Sequence, residues 1–366
     1  PSAVAPRFAH VDPPFARQLA YGAWIYGCLA PTVWTLERLG CARFAVGHAL
    51  KRRQRALREL DPFRGYVPGP QDVFVATYPK SGTNWMLQIV YQLAHHGAGE
   101  FAHIHDVVPW PETQVLPRVF HDYAVPLERA DAWQDAPERL RAIKTHLNWE
   151  FLPESDLARY IMVIRDPKDV FVSSYHFFRD GVLGPAMPSV RTWYELFLRG
   201  RTLAGSWSVN AASCWARRER PNVLLLSFAS MKRDLPGTVR RVASFLGLSV
   251  PETVLASVCE QASFAHMRRI DAKSSAANGW SSKVTAAPDA RAAITITLRR
   301  LPADSMLRRL SKCLCMSSSW AKSCSSSSFH VGHCARSASQ HACTVVVSCA
   351  ASCRSTQNTP PSGANT

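Results

Sequence analysis

Acidic residues are scarce in this sequence. Its 366 residues include 27 Asp and Glu against 43 Lys and Arg, which gives a net charge of +16 and indicates anionic partners. The sequence has neither a zinc-finger spacing nor an RNA-binding signature that would organise this charge, so nucleic acid is not a predicted partner. A polyanionic nucleotide or an anionic membrane surface would account for the charge as well.

Cysteine pairs with the usual spacings of a metal site are also missing. Four of the eleven cysteines are scattered over the first 280 residues, an arrangement typical of free thiols rather than of a disulfide framework. These four are Cys28, Cys41, Cys214 and Cys259. The other seven lie between Cys313 and Cys353, and none of the usual paired spacings of a zinc site occurs among them. We therefore predict no metal site.

No apolar run is long enough to be an unambiguous membrane span. Residues 19–36 carry no charge and are rich in aromatics, but the run has only 18 residues and contains Gly22, Gly27 and Pro31. Three alternatives stay open: an apolar helix packed on the domain, a membrane anchor or interfacial helix, and a targeting segment. The basic residues that follow lie on a predicted amphipathic helix at residues 43–60.

What the sequence does contain is a strongly patterned stretch at residues 72–85, DVFVATYPKSGTNW. Residues 73–76 form the continuous apolar run of a strand buried in a parallel sheet, and Pro79 ends it because proline has no N–H to donate. A helical period begins after Gly82, which allows a tight turn between the two elements. A helix that begins in this way points the N–H groups of its first turn, and the positive end of its dipole, at one place.

Side chains of this turn complete a predicted anion site. Lys80 adds a full positive charge, and Ser81 and Thr83 add hydroxyl donors for a phosphate-like group. The turn is not a Walker A loop, G-x-x-x-x-G-K-[ST], because its lysine precedes the glycine. The plainer alternative is an ordinary strand–turn–helix connection with a solvated lysine.

The chain as far as residue 261 alternates apolar strands with helices. Further strands are predicted at residues 142–146, 160–165 and 222–228, and further helices at residues 169–178, 192–217, 235–246 and 251–261. This alternation predicts an α/β fold with a central parallel sheet flanked by helices. Residues 101–139 are loop-rich and interrupted by prolines, and such segments over the carboxyl edge of a parallel sheet often build substrate pockets.

Three stretches resemble motifs of the sulfotransferases that use 3′-phosphoadenosine 5′-phosphosulfate (PAPS). Residues 78–85, YPKSGTNW, resemble the family's 5′-phosphosulfate loop, and residues 144–146, KTH, resemble its K-T-H motif. Residues 165–175, RDPKDVFVSSY, resemble its second signature, R-[DN]-P-x-D-x-x-V-S-x-Y. The motifs are closer to those of the cytosolic aryl and alcohol sulfotransferases than to those of the Golgi carbohydrate type.

The resemblance implies a single α/β domain of P-loop-like topology that moves a sulfuryl group from PAPS to the hydroxyl, or less often the amine, of a small molecule. His146 would be the general base, and Lys80 and Lys144 would stabilise charge on the transferring group and on the product, 3′-phosphoadenosine 5′-phosphate (PAP). No metal is needed, and the implied location is cytoplasmic. The residues implied to hold the donor are Lys80, Ser81, Gly82, Thr83, Asn84, Trp85, Arg165, Ser173 and Phe264. Within this set, Arg165 and Ser173 match the pair that grips the 3′-phosphate, and Trp85 and Phe264 match aromatics that pack on adenine.

The resemblance weakens beyond Met267. Members of the family continue to an R-K-G-x-x-G-D-W loop that closes over the nucleotide, and this sequence lacks it; residues 278–280, NGW, are the nearest match. Phe228 stands where tyrosine is usual and Ala262 where threonine is usual. Two alternatives therefore stay open, a non-catalytic PAP-binding relic and a nucleotide kinase or NTPase. The second rests on residues 161–166, which faintly resemble a Walker B strand.

Three segments are predicted. Residues 1–70 form an N-terminal helical and apolar segment with a linker, residues 71–270 the sulfotransferase domain, and residues 271–366 an irregular, disordered tail. From residue 311 the tail is dominated by Ser, Cys and Ala, and its abrupt loss of pattern favours a misread exon or a frame shift. Because the sequence begins with Pro1 rather than Met, we expect a fragment or a processed form.

Overall fold

The computed structural model describes residues 15–115 and 124–270. Four strands lie at its centre, namely β1 (Asp72–Ala76), β2 (Arg141–Thr145), β3 (Arg159–Ile164) and β4 (Val223–Ser227). They form one sheet in the order β2-β1-β3-β4, and every pair of neighbours is parallel. The predicted α/β fold with a central parallel sheet is confirmed.

Helices surround this sheet, and the described residues contain eleven α-helices. In chain order they are α1 (Phe15–Trp24), α2 (Ala30–Arg38), α3 (Ala42–Leu60), α4 (Thr83–Ala94), α5 (Pro167–Phe178), α6 (Val190–Leu198), α7 (Trp207–Ala216), α8 (Phe228–Arg233), α9 (Leu235–Phe245), α10 (Glu252–Gln261) and α11 (Phe264–Arg269). A π-helical turn, Ile25–Leu29, joins α1 to α2. The predicted helices at residues 43–60, 169–178, 235–246 and 251–261 are confirmed to within two residues at each end.

The sheet has an apolar core on each of its faces. Along β1, which is buried throughout, Val73 and Val75 belong to one cluster and Phe74 and Ala76 to the other. This division follows from the period of two along a strand. The first cluster includes residues of α4, α9 and α10, and in the second Phe74 stacks on Tyr160 with ring centroids 5.0 Å apart.

All four strands end at the same edge of the sheet. The register pairs Ala76 with Thr145 and Ile164 with Ser227, so the residues that follow the strands meet there. β1 is flanked by β2 on one side and by β3 on the other, which makes this edge a point where the strand order reverses. Ligands of open parallel sheets bind at such points, outside the carboxyl ends of the strands.

The prediction of one helix over residues 192–217 is wrong. The segment forms α6 and α7, which are separated by residues 199–206. Gly200 and Gly205 have φ angles of +63° and +80°, in the left-handed region that an α-helix does not use. A Cβ at Gly200 would lie 2.9 Å from Cβ of Ser206, so the chain reverses too tightly there for any other residue.

The apolar run at residues 19–36 folds into α1, the π-helical turn and α2. One side of these helices packs on the domain, since Ile25 and Ala30 are buried together with Ala186, and the Tyr21 hydroxyl donates to the carbonyl oxygen of Val182. Within residues 15–115 and 124–270, no helix is long and apolar enough to cross a bilayer. Residues 271–366, including NGW at 278–280, lie outside the described residues, and the three-segment division of the chain stays a prediction.

Candidate active site

The loop between β1 and α4 is held in a conformation that few residues adopt. Lys80 and Gly82 have φ angles of +67° and +102°. A Cβ at Gly82 would lie 2.9 Å from the Phe228 ring, so both the backbone angle and the space require glycine. The ammonium of Lys80 lies 4.2 Å from the centre of the Phe177 ring on α5. The loop thus contacts the elements that follow β3 and β4.

The start of α4 offers hydrogen-bond donors to a ligand. Gly82 is the N-cap and has no side chain with which to cap the helix, so the N–H groups of the first turn have no partner from that residue. The Ser81 hydroxyl is fully buried and has no hydrogen-bond partner among the described residues. An orphaned buried hydroxyl is uncommon in a folded protein, and here it lies beside an uncapped helix start and a lysine. These groups fit an anion with several oxygens.

Thr77 connects this loop to His146, the first residue after β2. The Thr77 hydroxyl lies 2.5 Å from the hydroxyl of Thr83, and its carbonyl oxygen lies 2.9 Å from Nδ1 of His146. Because a carbonyl oxygen only accepts, Nδ1 carries the proton and Nε2 is left with a lone pair. The ring is thereby held in the tautomer that a general base requires.

Lys144 is buried one residue before the end of β2, with only 5 % of its surface exposed. Its ammonium lies 3.2 Å from Nε2 of His105 and 3.7 Å from the centre of the Trp110 ring. His105 Nδ1 is 3.1 Å from the Val108 carbonyl oxygen, to which it donates, so Nε2 accepts from the lysine. Burial, and secondarily the charge of Lys80, lowers the pKa of Lys144 to about 7, although the Glu112 carboxylate opposes this shift.

Glu112 is a buried carboxylate behind His146. One of its oxygens accepts from the backbone N–H of His146 at 2.6 Å and from the Thr145 hydroxyl at 2.8 Å. Burial raises the pKa of Glu112, and these hydrogen bonds and the charge of Lys144 oppose the rise. The carboxylate therefore fixes the backbone at the end of β2 and adds a negative charge beside Lys144.

His146 also lies in the positive field of Lys144 and Lys80. Burial and the charges of Lys144 and Lys80 lower the pKa of His146 to about 3, so the imidazole is neutral at neutral pH. The Trp110 ring meets it edge to face, with centroids 5.4 Å apart. An anion placed between the two lysines would cancel much of this positive field and raise the pKa of His146.

Aromatic rings and a guanidinium form the other side of the site. The Trp85 ring lies 4.6 Å from Phe264 and 5.6 Å from Phe228, measured between centroids, and its Nε1 donates to the Ala262 carbonyl oxygen. Arg165, directly after β3, lies over the Phe228 ring at 4.3 Å and donates to the Lys80 carbonyl oxygen at 2.9 Å. The site residues after β1 and after β3 are thus joined by a direct hydrogen bond.

The structure brings several of the predicted site residues into contact with one another, but it shows no direct contact for Ser173. This serine is half-buried in the second turn of α5, and no hydrogen bond joins it to Arg165. Asn84 is half-buried in the first turn of α4, next to Trp85. Phe264 is about half exposed, at 49 %, at the start of α11. Roles for these residues stay predictions.

Sequence reasoning missed the support of the two central side chains. Residues 101–139 are predicted to hold acceptor-binding residues, but that prediction names none of them. The structure places His105, Trp110 and Glu112 of this segment against Lys144 and His146. No local signal distinguishes His105 and Glu112, because the segment contains other histidines and carboxylates, such as His103 and Asp106.

Comparison with known proteins agrees with this geometry. The family model described as "Sulfotransferase domain" matches residues 70–285, which is more than half of the 366 residues. The chain belongs to the sulfotransferase family. Within residues 15–115 and 124–270, no group of three or more His, Cys, Asp or Glu side chains could hold a metal ion.

Two relatives show how much of a sulfotransferase the chain spans. It is 31% identical to human Sulfotransferase 1C2 over 211 residues, which are 54% of this chain and 66% of the relative. It is also 31% identical to rat Sulfotransferase 2A1 over 212 residues, which are 56% of this chain and 70% of the relative. The chain thus spans about two thirds of the length of these sulfotransferases.

Two solved structures are similar to about half of the chain. A mouse sulfotransferase, SULT7A1, complexed with PAP is 27% identical, with a TM-score of 0.43 over 55% of this chain and 66% of the other. A retinol dehydratase in a complex with retinol and PAP is 24% identical, with a TM-score of 0.46 over 55% of this chain and 67% of the other.

Proposed function

We propose that this sulfotransferase moves the sulfuryl group of PAPS to the hydroxyl, or less often the amine, of a small molecule. The observation that carries the proposal is the arrangement around His146. Its Nδ1 donates to Thr77, its Nε2 is left as a base, and the charges of Lys80 and Lys144 act on the same ring. A base beside two cations suits a reaction in which an acceptor loses a proton while negative charge moves to a leaving phosphate.

The loop after β1 fits the 5′ end of the donor. The orphaned Ser81 hydroxyl, the uncapped start of α4 and the ammonium of Lys80 are all suited to phosphosulfate oxygens. Arg165 and Ser173 are proposed to bind the 3′-phosphate, with Gly82, Thr83 and Asn84 shaping the loop. Trp85 and Phe264 are proposed to pack on the adenine, and base stacking on an aromatic side chain contributes about 1–3 kcal/mol.

His146 is proposed to take a proton from the acceptor at Nε2. As the acceptor oxygen forms its bond to sulfur, the bond between sulfur and the phosphate oxygen of PAPS breaks, and PAP leaves with that oxygen. Lys80 and Lys144 stabilise the charge that develops. Because the anionic donor offsets their positive field, its binding raises the lowered pKa of His146 and makes the ring a better base.

Glu112 and His105 are proposed to position this machinery without touching the substrate. Glu112 holds the backbone of His146, and His105 accepts from the ammonium of Lys144. Glu112, His105 and Lys144 are buried, which protects these contacts from competition by water. The arrangement needs no metal, and we keep a cytoplasmic location as a prediction of the resemblance.

The test is a transfer assay with sulfur-labelled PAPS against pooled phenols, alcohols, amines and sugars. Label on a phenol, an alcohol or an amine supports the proposal, and the acceptor is then identified by dividing the pool. Binding of PAP without any transfer would instead support a non-catalytic PAP-binding relic. Magnesium-dependent turnover of ATP would support a nucleotide kinase or NTPase, an alternative that the family match disfavours.

A further inference from the structure

Exposed apolar side chains are concentrated in the N-terminal helices. The described residues include eleven large hydrophobic side chains that are exposed, and six of them lie between residues 19 and 44. These six are Leu19, Trp24, Tyr26, Trp34, Leu39 and Phe44. The other five are spread over more than 190 residues, from Val67 to Phe264. Single exposed apolar residues are ordinary, but a cluster of this density marks an interaction surface.

Helix α3 continues this surface with positive charge. Its inner stripe includes Val46 and Leu50, which pack on the domain, and Gln54, which donates to the Gly200 carbonyl oxygen. Its outer stripe is exposed and follows the helical period through Phe44, His48, Lys51 and Arg55. An aromatic residue at the start of the helix is thus followed by basic residues along one exposed face.

A basic cavity lies at the junction of the aromatic and basic parts. It has a volume of about 290 Å³, and its lining includes Arg43, Phe44, His48, Arg199 and Arg201. Arg43 also pairs with Glu195 at 3.1 Å, the only acidic contact that the described residues give it. The cavity suits a group with a single negative charge or more, such as a phosphate ester.

We propose that residues 19–55 and this cavity form a docking surface for a membrane that contains anionic phospholipids. Trp and Tyr side chains favour the boundary between lipid headgroups and acyl chains, and a neighbouring basic helix face is attracted to anionic headgroups. The arginine-lined cavity lies where a lipid phosphate would reach it. Residues 19–55 lie along the membrane surface in this proposal, and no helix within residues 15–115 and 124–270 is long and apolar enough to cross a bilayer.

Charge decides between a membrane and a second copy of the chain. Two copies meeting through this surface would bring Lys51, Arg55 and the arginines of the cavity against their equivalents, and repulsion would oppose the contact. An anionic bilayer instead complements the same charges. The proposal does not rest on the proposed enzymatic function, because none of these residues belongs to the site at the carboxyl edge of the sheet.

Flotation of the full chain with vesicles tests the proposal. The vesicles are phosphatidylcholine alone, or phosphatidylcholine mixed with phosphatidylserine. We expect the protein to float with the mixed vesicles, to float much less with the neutral ones, and to be released as salt is raised. Failure to float with either, or equal flotation with both, would overturn the proposal.

Variants separate the two parts of the surface. Arg55→Glu on α3 should weaken binding to the mixed vesicles by roughly tenfold or more, since it reverses a charge at the membrane. Its matched control is Arg241→Glu on α9, an exposed arginine outside the surface, which should bind like the parent chain. Trp24→Ala should also weaken binding, whereas Trp215→Ala, another exposed tryptophan, should not.

Two further outcomes count against the proposal. If each variant and its control lost the same amount of vesicle binding, the surface would have no special role in that binding. A dimer, detected by sedimentation velocity without vesicles and abolished by Trp24→Ala but not by Trp215→Ala, would assign the surface to a second copy of the chain. If Trp24→Ala does not fold, the charge-reversal pair and the comparison of vesicles still decide the question.

Discussion

The two halves of the candidate site differ in the hydrogen bonds that the protein gives to their donors. The His146 ring, its backbone N–H and the Lys144 ammonium have protein partners, namely Thr77, Glu112 and His105, although one buried oxygen of Glu112 has none. Around the loop after β1, the Ser81 hydroxyl has no partner and the N-cap of α4 has no capping side chain. Under the proposed function, the first half is organised before anything binds, and the second half is the part that the donor would complete.

This difference separates the two tasks of a group-transfer site. Side chains that move a proton gain from being fixed in advance, since little reorganisation is then needed during the reaction. A buried donor without a protein partner, such as the Ser81 hydroxyl, gains from a ligand that accepts its hydrogen bond. The comparison predicts that changes in the buried half impair turnover or protonation, whereas changes in the open half impair binding.

The largest effect is expected for His146→Ala. Loss of the proposed base should lower turnover by about 10²–10⁴-fold, while PAP binding survives because the open half of the site is intact. The measurements are labelled transfer and equilibrium binding of PAP on the same preparation. His96→Ala, which removes a histidine paired with Glu138 on the surface, is the matched control and should keep its turnover. If the His146 variant retained its turnover, His146 would not be the general base.

Glu112→Gln should separate two roles of Glu112, its hydrogen bond to the His146 N–H and its charge beside Lys144. The amide oxygen can still accept from the His146 N–H, but the negative charge that raises the pKa of Lys144 is gone. The Lys144 pKa should fall below about 7, so the pH at which PAP binding weakens should move down by about one unit. The measurement is PAP affinity across pH. Glu138→Gln is the control, and a profile unchanged by Glu112→Gln would show that this carboxylate does not act on Lys144.

Ser81→Ala should weaken binding and leave stability intact or slightly raised. The hydroxyl is buried without a partner in the free protein, so its loss removes an unsatisfied polar group. A lost hydrogen bond to a charged ligand should weaken PAP binding by about tenfold or more. Ser213→Ala on α7 is an apt control, because that hydroxyl is also buried and unpartnered but lies outside the site. Equal PAP affinities for the two variants would contradict the assignment of Ser81.

A further effect of the buried half concerns stability and pH. In the unfolded chain Lys144 keeps its proton up to its ordinary pKa of 10.5, whereas in the folded protein it loses the proton near pH 7. Unfolding therefore takes up a proton between these values, and this group makes the fold more stable as pH rises, by at most about 1.4 kcal/mol per unit. Urea unfolding from pH 7 to 9 should show a rise that Lys144→Met reduces and Lys168→Met, at an exposed lysine, does not.

The local sequence pattern was enough to predict the sheet and the half of the site that the loop after β1 forms. Apolar runs located the four strands, and the prolines and glycines located their ends. Parallel strands then place Lys80, His146 and Arg165 at one edge, so their proximity follows from the fold class. The helix break at residues 199–206 was missed because Gly200 and Gly205 were treated as helix residues.

The buried half of the site could not be predicted in the same way. His105 and Glu112 come from a loop whose path depends on tertiary packing, and neither residue has a periodic pattern around it. The pKa of Lys144 depends on burial among side chains that are distant in sequence, such as Trp110. Contacts of this kind are set by packing and not by local propensity.

The coupling of the two halves can be measured directly as proton uptake. PAP is titrated into the protein near pH 7 by calorimetry, in buffers of different ionisation enthalpy, for the parent chain and for Lys144→Met. If an anion in the open half acts on the buried half, the parent chain takes up protons on binding, because its Lys144 is only partly protonated at that pH, and the variant takes up fewer. Equal proton uptake by the two chains would contradict the account.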